Sequence, residues 1–417
     1  MSLSLTVIEH SMLAGEAGEA TALAIRIVAE TARLMGAEKL VPVSSAHIDG
    51  ALYHGDSGTL FAEKLVQLGG RVAIPATLNV GALDLSCGAK TRLSPHQHDM
   101  AYRLMRAYES MGCTPSWTCA PYQAGHRPAL GSDVAWGESN AVAFCNSVLG
   151  ARTNRYGDFL DIACAIAGRA PYYGLHRPEN RLATFVLDCS GLSASLRDSD
   201  VFWPVIGTLY GQEAGTAVGV VTGLSGFATE DRLKAFGAAA ASAGAVGLFH
   251  ILGVTPEAPD LATVAGGVEN LPVIPVTPER LAKARSGLST TSATRIDAVA
   301  IGSPHCSTDE LREVIARLAG RSVARPFYAC TGRHALLALR PDERQSLINT
   351  GVTLVTDTCI VVTPMLAEIA GTLLTNSGKF AHYAPGNTGY AVRYGSLAEC
   401  IEGAVSGELA TDARGWS

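Results

Sequence analysis

Residues 113–181 read CTPSWTCAPYQAGHRPALGSDVAWGESNAVAFCNSVLGARTNRYGDFLDIACAIAGRAPYYGLHRPENR, and the rest of the chain is interpreted outward from this stretch. Thiols, amides, carboxylates and several guanidiniums interrupt its apolar runs, between Gly, Pro and Trp. A segment that only packs in a core would show an apolar period of 3.6 or 2 residues. Groups that bind anions, metals or protons break that period here. We therefore interpret the stretch as the wall of an active site.

Length and composition indicate a compact enzyme of two or three domains. Of the 417 residues, 47% are hydrophobic, 44 are glycine and only 17% are charged, which is typical of an α/β protein. The net charge of -6 provides no basic surface for nucleic acid. The apolar run at 22–28 follows acidic residues and is broken by Arg26, so it fits neither a signal peptide nor a membrane span. We expect a cytoplasmic enzyme that binds neither nucleic acid nor membranes.

Apolar periodicity predicts alternating helices and strands. Residues 13–35 show helical spacing, and further helices are expected at 57–68 and 99–112. Buried strands are expected over short apolar runs, at residues 184–189, 217–223, 245–251, 272–276, 326–330, 353–359 and 360–364.

The C-terminal part repeats a strand, turn and helix. Residues 283–296 have the composition of an exposed loop, and Ser307 is expected to cap a helix with Asp309 and Glu310 in its first turn. We expect three parts, which are an N-terminal α/β part at 1–112, a central α/β part with the active-site wall at 113–290, and a C-terminal Rossmann-like domain at 291–417.

Two short strands end in polar side chains. LVPVSSAHIDG places His47 and Asp49 after one strand, and RVAIPATLNVG places Thr77 and Asn79 at the end of another. Ligands of open α/β sheets gather at such strand ends, so we predict one shared cleft. His47 and Asp49 are candidates for acid–base catalysis, whereas the alternative for His47 is a hydrogen-bonded structural histidine.

Glu138 and Ser139 are further catalytic candidates, since they present a carboxylate and a hydroxyl at a predicted helix start. The alternative for Ser139 is a helix cap. Lys379, between Gly378 and Tyr383, is a candidate cation for a substrate carboxylate, with Tyr383 beside it. The alternative is a surface lysine.

Arg152 and Arg155, with Asn154 between them, are candidates for binding substrate. In a helix or a turn the two guanidiniums would lie close enough to grip a carboxylate. The alternative is a structural salt-bridge network with neighbouring acids. The chain lacks both GxxxxGK[ST] and a GxGxxG placed between strand and helix, so a nucleotide is not expected.

Most of the ten cysteines lie in apolar contexts and are expected to be reduced core residues. Cys119, Cys306 and Cys359 instead lie at loops and turns, where thiolates can hold iron and leave one coordination position open. Cys113 competes with Cys119. A structural zinc site with His305 as an additional ligand is an alternative, although no short ligand spacing supports it.

Several motifs resemble, in the same order, those of the large subunit of the aconitase X family of iron-dependent hydro-lyases. The resemblance spans nearly the whole chain. It rests on HIDGALYHGDSG at 47–58, PATLN at 75–79, TCAPY at 118–122, WGESNAV at 136–142, NSVLGARTNRYGDF at 146–159, GLHRPENR at 174–181, GSPHCS at 302–307, DTC at 357–359 and TNSGKFAHYAPG at 375–386.

This resemblance implies an aconitase-like fold of α/β/α layers, corresponding to domains 1–3 without the swivelling fourth domain. It also implies an iron–sulfur cluster held by Cys119, Cys306 and Cys359, with 2Fe-2S favoured over 4Fe-4S or mononuclear iron. Ser303 stands where some relatives place their turn cysteine. In such enzymes iron with a vacant position acts as a Lewis acid on a hydroxy acid while a base removes the α-proton.

The resemblance favours cis-3-hydroxy-L-proline as substrate, Δ1-pyrroline-2-carboxylate as product and a role in hydroxyproline degradation. Mevalonate 5-phosphate is the alternative, although no extra basic cluster for a phosphate is evident. Relatives complete their cleft with a small swivelling domain, as a separate chain or an N-terminal fusion. Residues 1–36 are too short for it, so we expect a small separate subunit and an inactive large subunit alone. A metal-free acid–base enzyme and a non-catalytic redox or scaffold subunit are the rival hypotheses.

Overall fold

The computed structural model describes residues 3–365 and 371–409, which fall into two compact units. The first unit comprises residues 1–83 and 93–181, and the second comprises residues 84–92 and 182–417. Our division after residues 112 and 290 stays a prediction. Over the described ranges, every helix is too short or too polar to cross a membrane.

The first unit combines helices with short strands. Its helices are α1 (Val7–Leu13), α2 (Glu19–Leu34), α3 (Asp56–Gln67), α4 (Pro95–Ser110), α5 (Ser139–Phe144) and α6 (Leu160–Ala167). Its strands are β1 (Leu40–Pro42), β2 (Ala46–Ile48), β3 (Ala76–Leu78), β4 (Ala135–Trp136) and β5 (Arg169–Pro171). A π-helical turn covers Cys145–Leu149, and 3-10 turns cover Gly174–His176 and Pro178–Arg181.

The helix predicted over residues 13–35 is present as α2, which begins at Glu19, and α1 precedes it. Gly15 and Gly18 separate α1 from α2 with φ values of 86° and 96°, a left-handed conformation that glycine adopts at little cost. α3 lies within one residue of its predicted position. α4 begins earlier than predicted, at Pro95, because Ser94 accepts a hydrogen bond from the first turn.

A parallel three-stranded sheet in the order β3–β2–β4 forms the centre of the first unit. In its register, His47 lies opposite Thr77 on one side and Trp136 on the other. Residues paired in a parallel register present their side chains on the same face of the sheet. The sheet therefore aligns a histidine, a threonine and a tryptophan in one row. β1 and β5 form a separate antiparallel pair.

The second unit contains two parallel sheets with helices between their strands. Its strands are β6 (Phe185–Asp188), β7 (Gly219–Thr222), β8 (His250–Ile251), β9 (Val273–Pro275), β10 (Ala298–Cys306), β11 (Phe327–Thr331), β12 (Val352–Val355), β13 (Thr372–Thr375) and β14 (Ala391–Tyr394). Its helices are α7 (Ala194–Arg197), α8 (Phe202–Ala214), α9 (Glu230–Ala243), α10 (Leu261–Val264), α11 (Pro278–Gly287), α12 (Thr308–Leu318), α13 (Arg333–Ala338), α14 (Pro341–Asn349), α15 (Gly378–Thr388) and α16 (Leu397–Ser406).

The smaller sheet has the order β8–β7–β6–β9, and the larger one has the order β12–β11–β10–β13–β14. β10 occupies the middle of the larger sheet and is buried along its whole length. Buried parallel strands appear in sequence as continuous apolar runs, which is why most of these strands are predictable. The α/β fold class is therefore confirmed.

Two sequence predictions for the second unit are wrong in part. Residues 360–364 are not a strand, because the N–H groups of Val362 and Thr363 both donate to the carbonyl oxygen of Cys359 at 3.0 Å and form a turn. The expected loop at 283–296 begins inside α11. The predicted cap is confirmed, since Ser307 accepts from Glu310 N–H and forms a capping box with it.

Candidate active site

Polar side chains form two rows at the carboxyl ends of β2, β3 and β4. In the first row, His47 Nδ1 lies 2.9 Å from Thr77 Oγ1. In the second row, two residues further along each strand, Asn79 Nδ2 donates a hydrogen bond to Asp49 Oδ1. The four side chains for which the sequence predicts a shared cleft are therefore in contact, pair by pair.

Glu138 adds a second carboxylate just after β4. It caps α5, because its Oε2 accepts from Ala141 N–H at 2.7 Å, while its Oε1 accepts from the Ser139 hydroxyl at 3.1 Å. The alternative prediction of Ser139 as the cap is therefore wrong. Gly137 allows the close approach of the two strand ends, since a Cβ there would lie 2.8 Å from the Cβ of Asp49.

The pKa values of two carboxyl groups in this site are raised. Burial raises the pKa of Asp49 to about 7, and the charges of Glu138, Asp158 and Asp161 act in the same direction. Asp161 Oδ2 accepts from the N–H groups of Asp49 and Gly50 at 2.6 and 3.1 Å. Burial raises the pKa of Asp161 to about 7 as well. Carboxyl groups with such pKa values can exchange protons near neutral pH.

His126 contacts the first row, although no sequence pattern singles it out. Its Nδ1 lies 2.7 Å from Thr77 Oγ1, and its ring centroid lies 4.8 Å from that of Trp136. Within the described part of the chain, the buried atoms His47 Nε2, His126 Nε2, Trp136 Nε1 and Asn79 Oδ1 have no hydrogen-bond partner. Each such atom normally costs about 1–3 kcal/mol. Four of them on these two rows indicate a site for a polar ligand.

Cys119 is buried in the loop between α4 and β4, and α5 holds this loop. Asn140 Nδ2 donates to the carbonyl oxygen of Cys119 and to the hydroxyl of Tyr122, each at 3.0 Å. Cys113 lies at the start of the loop, where burial and the nearby Asp161 raise the pKa of its thiol to about 12. Burial also raises the pKa of Cys306, another predicted ligand, so the choice between Cys113 and Cys119 stays a prediction.

The arginine candidates lie on an extended segment rather than in a helix or turn. Arg152 is half-buried and Arg155 is exposed. The helix or turn from which the paired grip was predicted is absent at residues 152–155. Asn154 accepts from Leu175 N–H at 2.8 Å and donates to the Tyr173 carbonyl at 2.9 Å. A role of these three residues in substrate binding stays a prediction.

Three cysteines neighbour one another in the second unit. Cys306 is the last residue of β10, Cys330 lies on β11, and Cys359 lies in the turn after β12. All three thiols are buried. Each affects the protonation of at least one of the others, which places them in one thiol cluster. Cys330 was not predicted, because its context FYAC is that of an ordinary buried strand.

Cys359 is the member of this cluster whose thiolate form is stabilised. The thiol of Cys330 donates a hydrogen bond to it and lowers its pKa, and the Val361 N–H, the Lys379 ammonium and the Ser303 hydroxyl act in the same direction. The same hydrogen bond and burial raise the pKa of Cys330 well above its usual range.

Lys379 is buried, with only 9% of its surface exposed, so the alternative of a surface lysine is wrong. It lies in the first turn of α15, which Ser377 caps by accepting from Phe380 N–H at 3.0 Å. Tyr383 lies one turn further along and is half-buried, with its ring 4.9 Å from that of His382. α15 thus brings a cation to the thiol cluster.

The donor set suits iron in its chemistry, because soft thiolates are the usual ligands of iron–sulfur clusters. Across residues 3–365 and 371–409, no three His, Cys, Asp or Glu side chains already form a group that could hold a metal ion. His305 Nε2 lies 3.0 Å from the carbonyl oxygen of Thr358, so it donates there and links β10 to the turn of Cys359. This hydrogen bond gives His305 a structural role, whereas the zinc alternative treated it as a metal ligand.

Comparisons with known proteins cover the whole chain. Three family models match, namely the aconitase X first domain at residues 2–179, the second domain at 183–286 and the third domain at 296–406. The crystal structure of Thermococcus kodakaraensis aconitase X in its holo-form superposes with a TM-score of 0.86 at 31% identity, covering 96% of this chain and all of that one. The aconitase-like fold is thereby confirmed.

Two relatives of known function are enzymes that remove water. Cis-3-hydroxy-L-proline dehydratase of Pseudomonas aeruginosa is 41% identical over 99% of this chain and 72% of its own length. The phosphomevalonate dehydratase large subunit of Methanothermobacter thermautotrophicus is 37% identical over 93% of this chain and 95% of its own length. The domain models, the relatives and the superposed fold together show that this chain belongs to the aconitase X family.

Proposed function

We propose that this chain is the large, catalytic component of a cis-3-hydroxy-L-proline dehydratase, a hydro-lyase. The C2–H bond breaks and its electron pair forms a double bond, while hydroxide leaves C3 and is protonated to water. The ring product then rearranges to Δ1-pyrroline-2-carboxylate. The observation that carries this assignment is the 41% identity with the Pseudomonas enzyme along 99% of the chain.

The site must bind the carboxylate and hydroxyl on one face of the substrate ring and remove a proton from the other face. In the cis isomer, the carboxylate and the hydroxyl share one face, and the C2 proton points to the other. His47, Asp49 and Glu138 are the groups that we assign to proton transfer, since Asp49 has a pKa of about 7 and the Nε2 atom of His47 has no partner among the described residues. Ser139 hydrogen-bonds Glu138 and holds its carboxylate.

Further side chains would bind and orient the substrate. We assign Thr77 and Asn79 to binding the substrate ring, because they contact the proposed proton-transfer groups His47 and Asp49 directly. Lys379 is a buried ammonium suited to a carboxylate. The predicted contributions of Tyr383 and of the segment with Arg152, Asn154 and Arg155 are supported only by their residue chemistry. Trp136 provides an apolar surface beside His47, which keeps water from that ring.

Cys119, Cys306 and Cys359 would hold an iron–sulfur cluster, with 2Fe-2S favoured over 4Fe-4S and mononuclear iron. Bound there, the cluster would supply a Lewis acid for the substrate carboxylate and hydroxyl. The support from this chain is the stabilised thiolate of Cys359 and the adjacent thiol of Cys306. Cys330 would act as a hydrogen-bond donor to Cys359.

A small swivel-domain subunit would complete the enzyme. The support comes from relatives whose names describe a large subunit, such as that of Methanothermobacter, of which this chain covers 95%. The assembled enzyme would be a heteromer. The cytoplasmic location and a role in hydroxyproline degradation remain predictions from the sequence.

The test is to co-express this chain with a small-subunit partner, purify both under nitrogen, and assay two substrates. We expect loss of water from cis-3-hydroxy-L-proline and none from mevalonate 5-phosphate, measured by mass spectrometry of the products. Turnover of mevalonate 5-phosphate alone would establish the second relative's activity instead. No loss of water from either substrate, by a complex that contains iron, would reject the proposal.

Paired cysteine variants test the cluster. Cys359→Ser is expected to remove most of the bound iron and acid-labile sulfide, together with the activity. Cys189→Ser is the matched control, because Cys189 is a buried thiol of the same unit outside the thiol cluster. Full iron content in Cys359→Ser would contradict the ligand assignment, and equal losses in both variants would point to general destabilisation.

A further inference from the structure

His47, Thr77 and His126 form a continuous hydrogen-bonded chain across the first row. Thr77 Oγ1 lies 2.9 Å from His47 Nδ1 and 2.7 Å from His126 Nδ1. Both distances are those of ordinary hydrogen bonds. The Nε2 atoms at the two outer ends of this chain are buried and have no partner within the described ranges.

The number of protons on this chain restricts the two rings. A threonine hydroxyl has one proton, and Thr77 Oγ1 has no third hydrogen-bond partner among the described residues, so it donates to one of the two Nδ1 atoms and not to the other. The other Nδ1 must carry a proton and donate it to the hydroxyl oxygen. A neutral imidazole protonated at Nδ1 has a bare Nε2, whereas one with a bare Nδ1 carries its proton on Nε2. Two neutral rings on either side of Thr77 are therefore opposite tautomers.

The surroundings keep both rings neutral and in place. Burial lowers the pKa of His47 well below its usual range and lowers that of His126 to about 4. Trp136 packs against both rings, with centroid distances of 5.6 Å to His47 and 4.8 Å to His126. β2 and β3 fix the positions of His47 and Thr77 through their register. The loop that contains Cys119 carries His126 to the same place.

We propose that His126 is a positioning residue that sets, through Thr77, which nitrogen of His47 carries a proton. One Nε2 atom of the pair is then a proton acceptor and the other is a donor. When a proton enters the bare Nε2 at one end and another leaves the protonated Nε2 at the other end, one proton moves along each hydrogen bond and the hydroxyl of Thr77 turns. The two ends then exchange roles, and both rings remain neutral. The inference rests on the proposed function only for its catalytic consequence.

Nitrogen-15 NMR of the full chain, labelled at its 11 histidines, tests the tautomers directly. Signals are assigned with the His47→Gln and His126→Gln variants. We expect one of the two rings to be protonated at Nε2 and the other to be bare there. The same tautomer in both rings, or protonation of both rings at neutral pH, would overturn the inference.

Variants of the bridging threonine test the coupling. Thr77→Val removes the hydroxyl at constant shape and is expected to change the tautomer populations of both rings, whereas Thr77→Ser keeps them. If Thr77→Val does not fold, His126→Ala replaces it, because alanine removes the ring that Thr77 links to His47. An unchanged tautomer of His47 in the variant that folds would reject the coupling through Thr77.

Kinetics then separate catalysis from structure. We expect Thr77→Val to lower kcat about 100-fold or more, the usual contribution of a general acid or base. Thr59→Val is the matched control, since Thr59 is a buried threonine of the same unit whose hydroxyl donates to the Met100 carbonyl at 3.0 Å. An equal loss of kcat in both variants would contradict the relay. Opposite tautomers in a chain that dehydrates neither substrate would reject the proposed function and leave the relay standing.

Discussion

At the scale of single residues, backbone strain marks one position beside the polar rows of the first unit and one beside the thiol cluster of the second. Glu138 has a φ of 70° just after β4, and Asp357 has a φ of 64° two residues before Cys359. A non-glycine residue in this region costs of the order of 1–3 kcal/mol and persists only where its surroundings hold it. The cap on α5 holds Glu138, and Arg333 holds Asp357 with Nη2 3.0 Å from Oδ2.

Asp49→Asn is expected to change how stability depends on pH. The pKa of Asp49 is raised from 3.8 to about 7 by burial and neighbouring acids, so the folded state prefers the neutral form. The wild-type protein therefore loses free energy of unfolding as pH rises from about 4 to 7, by about 1.4 kcal/mol for each unit of the pKa shift. Urea unfolding at several pH values should show Asp49→Asn gaining stability relative to wild type over this window.

Asp188→Asn is the control with the opposite sign. Hydrogen bonds from Thr222 and Ser190 lower the pKa of Asp188. The ionised carboxylate therefore stabilises the fold at pH values above the ordinary pKa of aspartate, and this stabilisation is lost as pH falls. The free energy of unfolding of Asp188→Asn should therefore be lower than that of the wild type near neutral pH, and the difference should shrink toward acidic pH. A constant difference between Asp49→Asn and wild type from pH 4 to 8 would show that Asp49 is not the perturbed group.

The sequence identified part of this site for a clear reason. Two short strands carry polar side chains at a spacing of two residues, with His47 and Asp49 on and after β2, and Thr77 and Asn79 on and after β3. Because side chains alternate along a strand, this spacing places them on one face of the sheet. His126 lies in a Gly- and Pro-rich loop without periodicity, and nothing local shows that its ring reaches Thr77. A hydrogen bond over 49 positions depends on the tertiary fold alone.

At the scale of elements, β10 and β11 approach each other closely at Gly302. Its φ is 89°, and a Cβ at this position would overlap the carbonyl oxygen of Cys330. The register between the two strands shifts between Ile301 and Cys306, which is where Gly302 lies. This irregularity sets where the strand delivers Cys306.

Gly302→Ala is expected to unfold the second unit or to destabilise it by well over the roughly 1 kcal/mol that a left-handed alanine costs. Gly320→Ala is the matched control, because Gly320 has a φ of 79° and a Cβ added there would have no other atom within 4 Å. Thermal unfolding followed by circular dichroism compares the two. Equal and small losses would show that the strands can separate to admit a methyl group.

Elements were predictable where the signal was local. The buried strands β11 and β12 lie in predicted apolar runs, although β12 ends at Val355 and the predicted strand continued to Cys359. The cap at Ser307 follows from its own sequence. The turn after Cys359 was mistaken for a strand, because IVVTP is as apolar as the real strands. Its hydrogen bonds return to the carbonyl oxygen of Cys359, so the polar backbone of this apolar run is satisfied without a sheet.

At the scale of the whole molecule, the sequence does not reveal which unit residues 84–92 join. They lie between two segments of the first unit in sequence but belong to the second. Asp84 Oδ1 accepts from the N–H groups of Ser86, Cys87 and Gly88, and its Oδ2 accepts from Thr356 N–H at 3.1 Å. Asp84 and Thr356 are separated by 272 positions, so no local pattern indicates their contact.

The distribution of thiols over the molecule gives a last prediction. All ten cysteines lie in the described ranges, none is in a disulfide, and only Cys87 is exposed. A thiol reagent should therefore modify one cysteine in the native chain and ten in urea. Burial raises the pKa of Cys87, so the native reaction should accelerate between pH 7 and 9. Cys87→Ser should abolish the native reaction and leave nine thiols in urea. Two or more rapidly modified thiols in the native wild-type chain would mean that at least one of the nine buried thiols reaches solvent.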